Sequence, residues 1–434
     1  MTLTAAPPSK IFPYAYDQHD FPNGLRLITV PTDYPNIVAL YTVVSVGSRH
    51  EVEPGKSGFA HFFEHVMFRG TKKYPPQKWE GVMRGAGAST NAYTSDDRTV
   101  YHATFAKDGL ESVLEVESDR FQNLSYAESV FRTEALAVNG EYNKNSSQPT
   151  SKLHEVLRDT AFNTHTYQHT TMGFLADIKA MPEQYEYSKQ FFNRFYRPEN
   201  TTILVVGDVE PKQVRQLVEK YWGQWKRGDY KPAIPKEEPQ KEERTAHVDW
   251  PTPTPPWMTI AFKVPSFIEN MKDCAALDLI GAIGLGETSP LYKRLVIDEQ
   301  KTDVLQGGYE NHADPYLFTV YSRTKKEGDV PEVREGIIKT LDGFKETLVD
   351  AKKLDDVKRN LRYSFALSLN NSEAIAANLA GMVSLTRTPE TLNEVYEIYA
   401  SLTPEDLRSV ARKYFVPTGR TVVTLSHKQA GGKQ

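Results

Sequence analysis

One pattern of apolar and polar positions occurs twice along the chain. In N-R-F-Y-R-P-E-N-T-T-I-L-V-V-G, from Asn193 to Gly207, a helix-like stretch ends at an aromatic pair, a proline stops it, and an apolar strand follows. R-K-Y-F-V-P-T-G-R-T-V-V-T-L-S, from Arg412 to Ser426, repeats that order, and Pro198 and Pro417 are 219 residues apart (417 − 198). The same offset sets the strand-like L-Y-T-V-V-S-V, from Leu40, against T-I-A-F-K-V-P, from Thr259. These matches predict an α+β protein of two homologous α/β-sandwich domains, each an antiparallel-rich sheet covered by helices, made by internal duplication.

Between the copies lies K-P-A-I-P-K-E-E-P-Q-K-E-E-R, from Lys231 to Arg244, with three prolines and eight charges. Such a segment cannot bury a core and reads as a linker over the surface. The expected division is therefore a first domain over 1–230, a linker over 231–246 and a second domain over 247–434. The run P-T-P-T-P-P, Pro251 to Pro256, is expected to steer the chain into the first strand of the second domain.

Polar residues interrupt the pattern at one place. F-A-H-F-F-E-H-V-M-F, from Phe59 to Phe68, reads as the buried face of a helix, yet carries His61, Glu64 and His65. At the duplication offset those positions fall opposite Ile280 to Gly284, inside A-A-L-D-L-I-G-A-I-G-L-G. The second copy fills the helix with small and aliphatic side chains, so packing alone does not require the polar ones. Residues i and i+4 share a helix face, so His61 and His65 can aim their imidazoles at one point. Zinc–nitrogen bonds of about 2.0–2.1 Å suit that spacing. Glu64 flanks the same face, placed to reach a water without itself ligating. A catalytic zinc takes three protein ligands, so a third comes from elsewhere.

T-E-A-L-A-V-N-G-E-Y-N-K-N, from Thr133 to Asn145, offers a candidate: Glu134 and Glu141 are seven apart and share one helix stripe. A solvated helix face is the plain alternative for that pair. G-A-G-A-S-T-N-A-Y-T-S-D-D-R-T-V-Y-H-A-T-F, from Gly85, alternates loosely and predicts a sheet strand. His165 and His169 repeat the i, i+4 spacing, but the threonines around them and Gly173 predict a loop with a structural role, not a second metal site.

Composition narrows the classes. With 434 residues, two or three domains are expected, and a net charge of −4 with 25% charged residues argues against nucleic acid as partner. A single cysteine, Cys274, excludes a disulfide framework and a thiolate metal cluster built by this chain. No run of 18 or more apolar residues occurs, so no membrane span is expected. M-T-L-T-A-A-P-P-S-K lacks the basic end and apolar stretch of a secretory signal, and the expected setting is soluble, in the cytoplasm or the periplasm.

H-F-F-E-H followed by E-A-L-A-V-N-G-E-Y-N-K-N resembles the inverzincin signature of the pitrilysin–insulysin–mitochondrial processing peptidase family of zinc metallopeptidases, in its short two-domain form. Glu141 lies 76 positions after His65, and Glu134 stands where the family's accompanying acid belongs. The resemblance implies a zinc endopeptidase with one Zn2+ per chain, held by His61, His65 and Glu141, with Glu64 as general base and acid. Glu134 would orient a ligand histidine. Asn91 and Ala92 would hold the backbone of an extended peptide laid on an exposed strand edge, which reads main chain more than side chains. Active members also carry an arginine and, seven positions on, a tyrosine in the second half. Within Ser289 to Gly308 this chain has Val296 at the arginine position and Asp303 or Val304 near the other, and Arg294 is followed at seven positions by Lys301. The expected partner is therefore a homologous subunit carrying the Arg/Tyr pair, giving a heterodimer that encloses peptides in a chamber, with a homodimer as the alternative. The contrasting reading is a non-catalytic structural or binding subunit of a larger complex that retains a metal site.

Overall fold

The computed structural model describes residues 10–427; Met1 to Ser9, nearly all of the stretch read as lacking a secretory signal, lies outside the described residues. The first half builds a six-stranded sheet from β1 (Asp17–Asp20), β2 (Arg26–Pro31), β3 (Ile37–Val44), β4 (Ser89–Thr94), β5 (Thr99–Ala106) and β6 (Thr201–Gly207), in the order β1-β2-β6-β3-β5-β4. The second half builds a five-stranded sheet from β7 (Arg244–Trp250), β8 (Trp257–Val264), β9 (Thr302–Tyr309), β10 (Tyr316–Thr324) and β11 (Arg420–His427), in the order β7-β11-β8-β10-β9. Strand for strand the orders coincide once β1 is set aside. In each sheet a single pair is parallel, β2 with β6 and β7 with β11, and the other pairs are antiparallel. A duplicated, antiparallel-rich α/β unit is thus what the chain forms.

One expectation needs correcting. The second sheet's first strand precedes Pro251–Pro256 and does not follow it: β7 begins at Arg244, and the proline run connects it to β8. R-T-A-H-V-D-W alternates half-buried with exposed positions at a sheet edge, so it has none of the apolar run that marks β8. The charged segment before it is pinned at Glu237, whose carboxylate accepts the backbone N–H groups of Asn163, Thr164 and His165 at 2.9–3.1 Å.

Helices matter here for what they cover. In the first half these are α1 (Phe59–Val66), α2 (Glu128–Ser146) and α3 (Pro149–Ala161); in the second, α4 (Met271–Leu285), α5 (Ala351–Ser368), α6 (Ser372–Thr386) and α7 (Glu390–Ser401). Each half packs α1 or α4 and neighbouring helices on one face of its own sheet. The opposite faces are covered by exchange. Leu153, Leu157 and Ala161 of α3 pack on Ala261, Val423 and Leu425 of the second sheet. Ile375, Leu379 and Val383 of α6 pack on Ile28, Tyr41 and Leu204 of the first. Both faces of each sheet are therefore buried, which is why β6, T-T-I-L-V-V-G, is buried at every position.

The tips of the β4–β5 and β9–β10 hairpins meet between the halves. Buried Asp96 accepts bonds from Ser48 (2.7 Å) and Arg158 (2.8 Å) and lies 3.2 Å from His312 Nε2. Asp97 accepts the Tyr167 hydroxyl at 3.0 Å and the Ala313 N–H at 3.1 Å. Gly47 is required at this junction because a Cβ there would stand 2.1 Å from the Ser95 carbonyl oxygen.

Candidate metal centre

α1 owes its position to a buried acid upstream. Its N-cap, Gly58, has φ +93°, and a Cβ there would meet the Met172 carbonyl oxygen at 2.7 Å, so only glycine fits. The Glu51 carboxylate, buried beneath, accepts the N–H groups of Gly58 and Ala60 at 2.7 Å each. Those are N–H groups at the helix start, which lack partners within the helix. Burial pushes the Glu51 carboxyl up to about 8, against the lowering effect of those N–H donors from Ala60 and Gly58. Phe63 stacks on Phe191 (5.3 Å), and Phe62 packs edge-on against Phe131 of α2 (5.0 Å). The second contact fixes α2 against α1 two helical turns or more before Glu141.

The result is a convergence of three ligand atoms. His61 Nε2 and His65 Nε2 are 3.4 Å apart. Glu141 Oε2 lies 3.4 Å from His65 Nε2 and 3.7 Å from His61 Nε2. A tetrahedral ion with bonds of about 2.0–2.1 Å spaces its ligands about 3.3–3.4 Å apart. The donor set therefore fits zinc in both chemistry and edge length. Burial first, and then the neighbouring His65, push the His61 imidazole down to about 4, which keeps its nitrogen lone pair free of a proton at neutral pH. Among the described residues no other group of three or more His, Cys, Asp or Glu side chains converges in this way.

Glu64 stands beside this trio and outside it. Its Oε2 accepts the Thr94 hydroxyl at 2.8 Å, and burial raises its carboxyl above the ordinary value, with Thr94 opposing. Thr94 closes β4, the outermost strand of the first sheet, so that sheet edge ends beside the Glu64 carboxylate. Asn91 and Ala92 lie on that edge strand. Asn91 is exposed, with its side-chain oxygen on the Ala92 N–H at 2.9 Å, and Ala92 is buried.

Glu134 is placed differently from the expectation. Its buried carboxylate meets Arg69 at 2.8 Å, on the turn that follows α1, and not an imidazole. His61 Nδ1, the atom such an acid would hold, is buried without a hydrogen-bond partner. Both glutamates share one stripe two helical turns apart, and at Glu134 that stripe meets Arg69 beyond α1 instead of its histidines. Sequence reasoning also missed Glu51 and Thr94; neither sits in a motif with the groups it serves, since Glu51 is seven residues before Gly58 and Thr94 comes from a different element.

The remaining candidates are structural. His165 bonds Asp314 (2.9 Å) and caps a single 3-10 turn, Thr166–Gln168, while His169 Nδ1 lies 2.9 Å from the Thr170 carbonyl oxygen. Arg294 is engaged with Glu299 and Glu332, both at 3.6 Å, and Lys301 with the same two acids. Val296 packs against the second core, and Asp303 is paired with Arg323 at 2.8 Å.

A duplicated α/β sandwich with a His-x-x-Glu-His helix and a distal glutamate defines a class of metallopeptidase. Residues 27–174 match the family model for insulinase, peptidase family M16, and residues 183–361 match that for the peptidase M16 inactive domain; the chain belongs to the M16 peptidase family. It is 28% identical over 432 residues to the zinc protease PqqE of Helicobacter pylori, covering 98% of this chain and 96% of that one. It is 25% identical over 405 residues to a probable mitochondrial-processing peptidase subunit beta of Schizosaccharomyces pombe, covering 90% and 86%. The crystal structure of a protease from Helicobacter pylori superposes with a TM-score of 0.88 at 28% identity, over 95% of this chain and 99% of that one.

Proposed function

We propose that this chain is the metal-carrying subunit of a zinc endopeptidase that hydrolyses extended, unfolded peptides. The observation that carries the reading is the triangle of His61, His65 and Glu141 ligand atoms with edges of 3.4–3.7 Å, beside a carboxylate that does not join it. Zinc held there supplies Lewis-acid polarisation of a carbonyl and eases deprotonation of water. Glu64 takes the proton from the attacking water and delivers it to the leaving amine; its raised carboxyl makes it a stronger base than an exposed glutamate. The Thr94 hydroxyl holds Oε2 of Glu64 and so fixes the carboxylate beside the trio for this work.

The edge of β4 positions the substrate. An incoming peptide adds as a strand beside Asn91 and Ala92, so selection falls on extended main chain. The second half has no arginine–tyrosine pair at the expected positions, and Arg294 and Lys301 are tied to Glu299 and Glu332. A homologous partner subunit supplies that pair in this reading and closes the chamber. The relative named as a mitochondrial-processing peptidase subunit beta supports a two-subunit arrangement. The same similarity supports protease activity over a purely structural role, because all three ligand positions and Glu64 are intact.

The test is metal analysis of purified chain alongside cleavage of an unstructured fluorogenic peptide, with and without the co-purified partner. One zinc per chain, feeble cleavage alone and a large gain with the partner are expected. Zinc-free protein, or full activity from a homodimer, would respectively remove the metal reading and the partner reading.

A further inference from the structure

Between α4, α5, α6 and α7 the second half encloses a cavity of about 250 Å3 for which the reaction has no use. At roughly 30 Å3 per water this is room for about eight waters. Phe365 of α5 and Tyr396 and Tyr399 of α7 form one continuous aromatic wall, with ring centroids 5.2 and 5.3 Å apart along it. Facing them are Asp278 and Cys274 of α4 and Tyr309 at the end of β9.

Asp278 is the unusual member. The Tyr399 hydroxyl donates to its Oδ2 at 2.6 Å, and no Lys, Arg or His among the described residues stands within ion-pair distance of it. Burial pushes its carboxyl up from the ordinary value, with Tyr399 as the opposing influence. Buried carboxylates are otherwise paired, because an isolated one is costly to desolvate. The Tyr309 hydroxyl is buried beside the Cys274 sulfur, with no oxygen or nitrogen partner in hydrogen-bond geometry among the described residues. A carboxylate held by one hydroxyl and faced by no cation, beside a second hydroxyl oxygen and walled by three rings, describes what an organic ammonium needs: a counter-charge, N–H acceptors and aromatic faces.

The cavity has a route in. It shares Asn311, Asn378 and Met382 with the cleft of about 830 Å3 between the halves, which is also lined by Tyr142 and Asn145 of α2. Among the described residues Cys274 and Asp278 have no third ligand near them, so the cavity does not read as a metal site.

We propose that this cavity binds an alkylammonium group, with Asp278 as its counter-ion and Phe365, Tyr396 and Tyr399 as its cage. The ammonium belongs either to a free amine or to a lysine side chain or amino terminus of a peptide in the cleft. Only the peptide source rests on the proposed function; the site itself does not.

Calorimetric titration of the full chain tests it, with n-butylammonium against 1-butanol as the neutral isostere. Butylammonium is expected to bind at least tenfold more tightly than butanol, and Asp278→Asn to abolish that preference. Tyr396→Leu is expected to weaken butylammonium at least tenfold while leaving the acid in place, which guards against a folding defect confined to the first variant. Equal binding of both probes, binding unchanged in Asp278→Asn, or no binding of butylammonium would overturn the proposal. A lysine peptide compared with its norleucine counterpart, each with free and acetylated amino termini, then assigns the source: a preference for either ammonium that Asp278→Asn removes assigns the peptide, and its absence assigns the free amine. Zinc content measured on the same samples reports on the metal reading separately, so either can fail without the other.

Discussion

α1 and α4 are two answers to one packing problem. Both follow the central strand of their sheets and lie on the same face, and the duplication sets His61 opposite Ile280 and His65 opposite Gly284. In the second half the helix lies close: a Cβ on Gly281 would stand 3.1 Å from Gly308 Cα, and one on Gly284 would stand 2.9 Å from the Phe344 ring. Opposite His61 stands the buried side chain of Ile280, and opposite His65 the Phe344 ring closes on Gly284. A convergent polar cluster in one copy and close packing in the other thus exclude each other, since a cored position cannot also hold an open polar cluster. The second half is then free to carry the hairpin tip that clasps Asp96 and Asp97, and the helix α6 that covers the first sheet.

The sharpest break of this contrast is His61→Ala, expected to reduce zinc from one per chain to none by metal analysis and peptide cleavage to background. Glu64→Gln should keep the zinc and lose about 10²–10⁴-fold in kcat; retained activity would remove Glu64 as the base. The reverse experiment grafts the site: Ile280→His with Gly284→His should bind no zinc and destabilise the chain by about 1–3 kcal/mol in denaturant titration, because the second imidazole has nowhere to go but Phe344.

The clasp between the halves gives a pH signature. Burial opposes a charge on His312, but Asp96 and Asp97 raise it above its ordinary 6.5. A group raised on folding stabilises fully below its unfolded value, and that contribution fades as pH rises through the folded one. His312→Gln should therefore cost about 1–3 kcal/mol at pH 6 and progressively less at alkaline pH. A deficit independent of pH would show that the charge does not matter. Smallest is Arg69→Met: if Glu134 acts through Arg69, zinc affinity falls by less than about tenfold, below the ~10–100-fold expected of an acid holding a ligand histidine.

Much of the site was legible because its main pieces are local. An i, i+4 histidine pair is a same-face statement wherever a helix forms, and the contrast with Ile280–Gly284 marked it as more than packing. Glu134 misled because helical periodicity assigns a stripe but not which neighbour the stripe meets; Arg69 won that contact. β7 was hidden because an exposed edge strand with alternating, charged residues carries little apolar signal.

The chain's own order of residues carried the duplication, the strands with their apolar runs, and the candidate ligands with Glu64, through helical spacing of three or four residues, the 76-position step from His65 to Glu141 and repetition at 219. Only the tertiary structure decided that α3 and α6 would each cover the other half's sheet, that Glu51 would start α1, and that Asp96 would meet His312 across 216 residues of chain. Amphipathic helices state that they bury a face but not against which sheet, and a buried charge finds its partner only once the fold has brought distant segments within hydrogen-bond reach.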